Sequence, residues 1–317
     1  MSLLTSFKII LIYSFPLITL IGLITNSISF VIFSRKRFRN TIFSTYFRFY
    51  ILFQTLNLIL PINKMLELNM NIYVSQSSNF MCKLRFFYPN VNFSNAGWLL
   101  AIISIDRFMI ISYPTKFLFR KSQLFQIFTS CFIILCNICY YSSSWFYYLK
   151  ETTANLTNHT DILSSYTCVS PNFETDLLEL IQQMIAPFCI MIIFTLLTIK
   201  NVYRSRKIIN QSNGSSSKTM VNDRKFAISS IAINILFLLS SLPYFLLSMI
   251  NDYSDAFINL IDLFEFLISI SFLIFYLNLN STFLINKFFN SMFQIELRSS
   301  FLNRNISMNN SNSRATV

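Results

Sequence analysis

Seven times this chain runs for about twenty or more residues with hardly a charge, and no other feature constrains its fold as much. The runs cover about Ile9–Phe33, Ile42–Ile62, Cys82–Pro114, Leu124–Tyr148, Leu177–Val202, Phe226–Ile250 and Ala256–Ile285. At a rise of about 1.5 Å per residue, such runs match the ~30 Å hydrocarbon core of a bilayer. Inside hydrocarbon the backbone must satisfy its own amides and carbonyls, which favours helices. Charged residues are 12% of the chain, against about 25% in a soluble domain. Three glycines and seven prolines leave little room for a turn-rich β architecture. The expected fold is an all-α membrane protein, a bundle of seven transmembrane helices.

Residues 1–8 read as a short N-terminus and 9–286 as the bundle. Residues 287–317 read as an amphipathic helix and an Asn/Ser-rich tail expected to be disordered. The amphipathic stretch, about Phe288–Phe301, sets Phe289, Met292, Phe293 and Leu297 at helical spacing. The first run lacks a small-residue cleavage site and reads as a retained span. In the second run, Arg48 lies near the start and can snorkel to the interface, while the deeper Gln54 should face other helices. Pro61 should bend or end this span. The aromatic cluster from Tyr140 to Tyr148 marks the fourth span's interface end, and a polar loop should follow to about Phe173. A basic, Ser/Gly-rich connector spans Tyr203–Lys225.

Charge sets the orientation. Eighteen of the 25 Lys and Arg residues fall in the odd-numbered loops and the tail, beginning with Arg35, Lys36, Arg37 and Arg39. Most acids fall on the other side, among them Glu67, Glu151, Asp161, Glu174, Asp176 and Asp252. Basic loops stay cytosolic, so the N-terminus should be extracellular and the tail cytoplasmic, in the plasma membrane. The bilayer is the expected surrounding, and topology accounts for the net charge of +12 without nucleic acid. Cys131, Cys136, Cys139 and Cys189 read as packed free thiols, and Cys82 and Cys168 lie near segment ends. No Ser/His/Asp set, metal cluster or Gly-rich phosphate loop appears, so neither an enzyme nor a bound metal or cofactor is expected.

The third run carries Ser104-Ile105-Asp106-Arg107-Phe108 and then Tyr113-Pro114, with Cys82 lying 25 residues before Arg107. With seven spans, and with Cys168 in the next outer loop, the chain resembles the rhodopsin-like (class A) G-protein-coupled receptors over about residues 9–301. Asp106-Arg107-Phe108 is similar to the family's Asp-Arg-Tyr motif, Gly22 and Asn26 to its first-helix pattern, and Pro187 and Pro243 to the prolines of helices five and six. Phe237, six residues before Pro243, matches the family's transmission region. Gln54 stands where the family has an acid, which puts a sodium pocket in doubt, and Ser241 stands where it has a tryptophan. Two registers of the seventh-helix motif are open. One through Phe293 puts Asn286 at the Tyr position, and one through Asn280 puts Leu284 there.

The resemblance implies an extracellular ligand, a heterotrimeric G protein as partner, and an outer disulfide between Cys82 and Cys168. Closing that loop is worth about 4–5 kcal/mol in the chain-entropy description. Asp223, 20 residues before Pro243, falls roughly 30 Å down a helix at the depth of Arg107, where the two could latch helices three and six. Asn155 and Asn158 begin glycosylation sequons in the outer loop. Pro89 stands where amine receptors carry an acid, and the seventh span has no lysine for a retinal Schiff base. Phe86, Tyr88, Trp98 and Tyr244 are expected to line the upper cavity. The acidic outer side suits a basic, amidated neuropeptide, and the Thr45-Tyr46-Phe47-Arg48 stretch is loosely similar to invertebrate FMRFamide-type receptors. The competing readings are a chemosensory receptor for a small molecule and a seven-span transporter. No inverted repeat supports the transporter.

Overall fold

The computed structural model describes residues 3–39, 43–63, 66, 77–113, 122–142, 148–154, 163–169, 173–211, 218–253 and 261–300. The elements are α1 (Leu3–Ser34), α2 (Lys36–Arg39), α3 (Ser44–Asn57), α4 (Asn79–Ser112), α5 (Gln123–Tyr141), β1 (Tyr148–Ala154) and β2 (Leu163–Val169). There follow α6 (Phe173–Leu180), a π-turn at Ile181–Ile185, α7 (Ala186–Gln211), α8 (Lys218–Tyr253), α9 (Ile261–Leu279) and α10 (Ser281–Phe289). Residues 291–300 form a last helix, α11.

Five of these helices are long and apolar enough to cross a membrane, and the bent pair α9–α10 would make a sixth. The seventh span is α3, with 14 residues too short to qualify by length. Its truncation has a local cause. Pro61 lacks an amide and its ring clashes with the carbonyl of residue i−4, which is Asn57, the last residue of α3. The chain tightens there into three-residue turns, with Leu58 N bonded to Thr55 O and Ile59 N to Leu56 O, both at 3.2 Å. Neighbouring helices satisfy the loosened carbonyls. Tyr88 Oη of α4 donates to Leu56 O at 2.5 Å, and Thr19 Oγ1 of α1 to Leu58 O at 3.5 Å.

The second break is the π-turn before Pro187. It lets α6 and α7 continue as one span, Leu177–Asn201, and the widened turn relieves the proline clash. The turn packs on Gly97 of α4, where a Cβ would lie 3.6 Å from both Gln183 O and Pro187 Cγ. The third break is at Asn280, where α9 and α10 meet at 48°. Its Nδ2 donates to Ile18 O at 3.2 Å. Asn280 comes so near α1 that a Cβ on Gly22 would overlap its Oδ1 and lie 2.6 Å from Leu58 Cδ1.

α4 is the central helix. Its apolar window is 67% buried, against 22–33% for the other four long apolar helices, and it packs on α3, α5, α7 and α8. Ser78 caps it, its Oγ accepting from Met81 N at 3.2 Å, so the helix starts at Asn79, ahead of Cys82. α5 buries a polar stripe of Gln126, Ser130, Asn137 and Tyr141 and turns Leu124, Phe128, Phe132 and Leu135 outward. That inversion suits lipid, where polar groups join helices and apolar ones need no burial.

Several boundaries depart from expectation. α5 ends at Tyr141, seven residues short of Tyr148, because Ser142 turns out of the helix and bonds Cys139 O through both its amide and its hydroxyl. The loop read as merely polar contains an antiparallel hairpin, β1–β2, with Cys168 opposite Leu149. Most of the connector Tyr203–Lys225 is helical, extending α7 to Gln211 and starting α8 at Lys218. Cys131, Cys136, Cys139 and Cys189 are free thiols but face outward instead of packing inside.

Gly22→Ala should destabilise the protein by about 1–3 kcal/mol, the usual cost of overpacking. Gly97→Ala should be near neutral, since its Cβ would meet only ordinary contacts. Thermal melting of the two purified variants in detergent checks both, and equal melting temperatures would contradict the packing at Asn280.

Candidate functional site

α4 carries Asp106 and Arg107 near its C-terminal end, and both side chains are buried. A charge inside the membrane is costly and is kept where it pairs or functions. The Arg107 guanidinium carbon lies 4.6 Å from the centre of the Phe43 ring, a cation–π contact of the kind that strengthens when desolvated. Phe43 is the buried residue just before α3. Arg48, one turn into α3, reaches back to Thr45 Oγ1 at 3.0 Å, in keeping with a side chain drawn towards the interface.

Above this charge, uncharged groups join the helices. Asn234 Nδ2 on α8 donates to Ser104 Oγ of α4 at 2.7 Å and to Thr195 Oγ1 of α7 at 3.3 Å. Ser229 of α8 donates to Asn286 Oδ1 of α10 at 3.0 Å, and Asn286 Nδ2 to Thr282 O at 2.8 Å. Asn201 Nδ2 of α7 donates to Ser112 Oγ of α4 at 2.6 Å. Phe237 meets Phe188 edge to face at 5.9 Å. At mid-depth, fully buried Gln54 donates to Tyr50 Oη at 2.6 Å and accepts from Thr282 Oγ1 at 3.0 Å. Both partners are neutral hydrogen-bonding side chains, where an acid at this position would call for a cation.

The Gln54–Thr282 bond also bears on the seventh-helix register. Asn286 is fully buried and faces α8, whereas Leu284 is half-exposed. The side chains facing the core therefore follow the register through Phe293. α11 docks on the turn between α1 and α3. Phe293 is buried against Phe33 and Phe283, with centroids at 5.7 and 5.8 Å. Glu296 pairs with Arg35 at 3.2 Å and Arg37 at 3.7 Å. Met292 and Leu297 join this packing, but Phe289 does not. It is half-exposed at the end of α10, because Asn290 breaks the helix and caps α11, accepting from Phe293 N at 3.2 Å.

Towards the N-terminal end of α4, a polar network joins α4, α5 and the π-turn. Ser94 Oγ approaches Asn137 Oδ1 at 3.0 Å and Gln182 Oε1 at 3.1 Å, and Gln182 Nε2 donates to Asn137 Oδ1 at 2.7 Å. Tyr141 Oη donates to Gln182 Oε1 at 2.7 Å, and Trp98 Nε1 to Gln182 O at 3.2 Å. Asn90 Nδ2 donates to the buried carboxylate of Glu179 at 2.8 Å. Beside this network, Phe93, Tyr244, Phe245, Phe272, Phe275 and Tyr276 pack ring on ring, Phe93 and Phe275 at 4.8 Å and Tyr244 and Phe275 at 5.9 Å.

The expected site residues fall as follows. Cys82 is fully buried and disulfide-bonded. Cys168 lies on β2. Asn26 is fully buried, and its amide meets no hydrogen-bond partner among the described residues. Pro187 follows the π-turn and Pro243 lies inside the continuous α8. Ser241 Oγ donates to Phe237 O. Asp223 lies on α8, with its side chain outside the described residues, as are Asn155 and Asn158. Sequence reasoning missed Phe43, which is one of 36 phenylalanines, and the hydrogen-bonding role of Asn234. The signal for Asn234 was there, as the lone amide of the sixth apolar run.

The sequence model described as 7 transmembrane receptor (rhodopsin family) matches residues 25–282. No curated protein matches the chain.

Phe43→Leu should lower the melting temperature through loss of about 1–2 kcal/mol of cation–π attraction, while Phe43→Tyr should keep it. In an Arg107→Met background the difference between the two should vanish. A difference that persists there would mean the ring acts by volume alone.

Proposed function

The chain belongs to the rhodopsin family of seven-transmembrane receptors, and we propose that it is a cell-surface receptor for a basic peptide that signals through Arg107 to a heterotrimeric G protein. A member of this family is a multi-pass membrane receptor with an extracellular ligand and a G-protein partner, and it is not an enzyme. The observation that carries the coupling role is the buried Asp106–Arg107 pair at the inner end of the most enclosed helix. Arg107 is a charge in an apolar place, held over the face of the Phe43 ring, which suits a group that must change partners. α8 runs unbroken from Lys218 through Pro243, which supports an Arg107–Asp223 latch between α4 and α8.

The outer side is assigned from charge and redox chemistry. Basic residues concentrate at the end bearing Arg35, Arg37 and Arg107. Cys82 is oxidised at the opposite end of α4, as an extracellular cysteine should be. We assign Cys168 as its partner. The four cysteines of the spans are free thiols, and the hairpin that carries Cys168 packs on α4 through β1. The sequons at Asn155 and Asn158 fall between the two strands, and we assign them as glycosylated. The domain limits of 9–286 for the bundle and 287–317 for the docked helix and tail follow from the same topology.

Two features support a peptide. Among the described residues the sheet has two strands, and an extended chain can add hydrogen bonds at a strand edge. The acids of the outer loops suit a cationic partner. The close packing of Phe93, Tyr244, Phe272 and Phe275 favours the second reading, a small apolar ligand of a chemosensory receptor.

A G-protein dissociation assay against amidated peptides should yield a basic agonist, and Arg107→Ala should remove the response at equal surface expression. Agonists found only among small apolar molecules would replace the peptide reading. Cys82→Ser and Cys168→Ser should each cut surface staining of an N-terminal epitope in unpermeabilised cells, and the double variant should lose no more than either alone. Normal staining of Cys168→Ser would refute the pairing.

A further inference from the structure

We propose that α8 is held against α4 and α7 by an uncharged clamp centred on Asn234, and that release of this clamp is the step that opens the inner face to the G protein. The proposal rests on the reading that the receptor activates a G protein, and it goes beyond the Arg107–Asp223 latch by naming a second, buried restraint.

The clamp is directional. Ser104 Oγ donates its one proton to Leu100 O at 2.8 Å, so towards α8 it can only accept. Asn234 Nδ2 supplies the proton at 2.7 Å and reaches Thr195 Oγ1 at 3.3 Å. All three side chains are at least nine-tenths buried. A carboxylate at position 234 would face Ser104 with acceptor against acceptor. Five residues earlier on α8, Ser229 donates to Asn286 of α10. The inner half of α8 is thus bonded to α4, α7 and α10 through neutral groups. Ser104 lies three residues before Arg107, so the clamp closes directly above the charge.

The helix is also built to let go. Asn234 is nine residues before Pro243, or roughly 13 Å along the axis. Pro243 removes one backbone hydrogen bond. Ser240 and Ser241 bond back to carbonyls of the preceding turn, at Leu236 and Phe237, a pattern that bends helices. Ser241 is small where a bulky ring would brace the bend. A swing of the inner half about Pro243 pulls the amide away from Ser104 and Thr195, and in hydrocarbon it meets no water in exchange. The held state is therefore favoured by the hydrogen bonds themselves, and a partner that opens the face must outweigh them.

The test uses the full chain, reconstituted with a heterotrimeric G protein, and measures basal nucleotide exchange at equal receptor amounts. Asn234→Leu should raise basal exchange about three- to tenfold, the effect of losing one or two neutral hydrogen bonds. Asn234→Asp should also raise it, and Ser104→Ala should raise it less. Ser104→Thr, which keeps the hydroxyl, should restore the wild-type level. Adding Ser104→Ala to Asn234→Leu should change nothing further. Wild-type exchange in Asn234→Leu, with coupling still lost in Arg107→Ala, would overturn the clamp. If no variant supports exchange, the G-protein reading fails by itself, and spin labels at Tyr113 and Lys225 then decide the clamp. A longer distance in Asn234→Leu than in wild type supports it, and an unchanged distance overturns it.

Discussion

A carbonyl that loses its amide inside a bilayer has no water to turn to, and the helix breaks at Pro61 and before Pro187 are each met by another helix. Where Pro61 ends α3, Tyr88 and Thr19 bond the loosened carbonyls from α4 and α1. At the π-turn before Pro187, Trp98 of α4 donates to Gln182 O, and the turn packs on Gly97. At the bend at Asn280 the contact runs the other way, the side-chain amide donating to Ile18 O of α1 beside Gly22. An unsatisfied group in hydrocarbon costs several kcal/mol, more than the ~0.6–2 kcal/mol typical of a side-chain bond between membrane helices. The breaks therefore dictate the neighbours, and α4 is central partly because it mends two of them.

The same constraint explains why the interior is rich in amides and hydroxyls. Apolar side chains gain little by leaving lipid for protein, so they do not drive these helices together. α5 shows this most clearly, with Gln126, Ser130, Asn137 and Tyr141 inward and its leucines and phenylalanines outward. What holds the bundle is a set of small, directional terms such as Gln54–Thr282, Ser94–Asn137 and Asn234–Ser104. A structure held by many weak bonds can exchange a few of them without coming apart, which a receptor needs and a single large apolar core would resist.

The spans were legible because hydrocarbon leaves its mark on composition. The inner end of α4 was legible because an Asp-Arg pair closing an apolar run marks where a helix leaves hydrocarbon. The exact ends were less legible. Ser142 stops α5 while the apolar and aromatic pattern runs on to Tyr148, so local hydroxyl chemistry overrode periodicity. Asn290 divides what reads as one amphipathic stretch, and its capping role depends on a backbone turn the spacing does not reveal. The seventh-helix register was open in sequence because its motif residues are gone, and it closes on buried partners, Asn286 with Ser229 and Thr282 with Gln54. Phe43 could not have been singled out, since its meaning comes from a guanidinium 64 residues away in sequence.

The fifth span joins the two halves of this polar interior. Gln182, in the π-turn, belongs to the outer network with Ser94, Asn137 and Tyr141. Thr195, 13 residues later on α7, belongs to the inner group with Asn234 and Ser104. α4 touches both groups as well, but as the most buried span it has little room to move. α7 is more exposed, and the π-turn above it already departs from α-helical geometry. Gln182 and Thr195 thus place one continuous span in both polar groups, with the irregular turn at the Gln182 end.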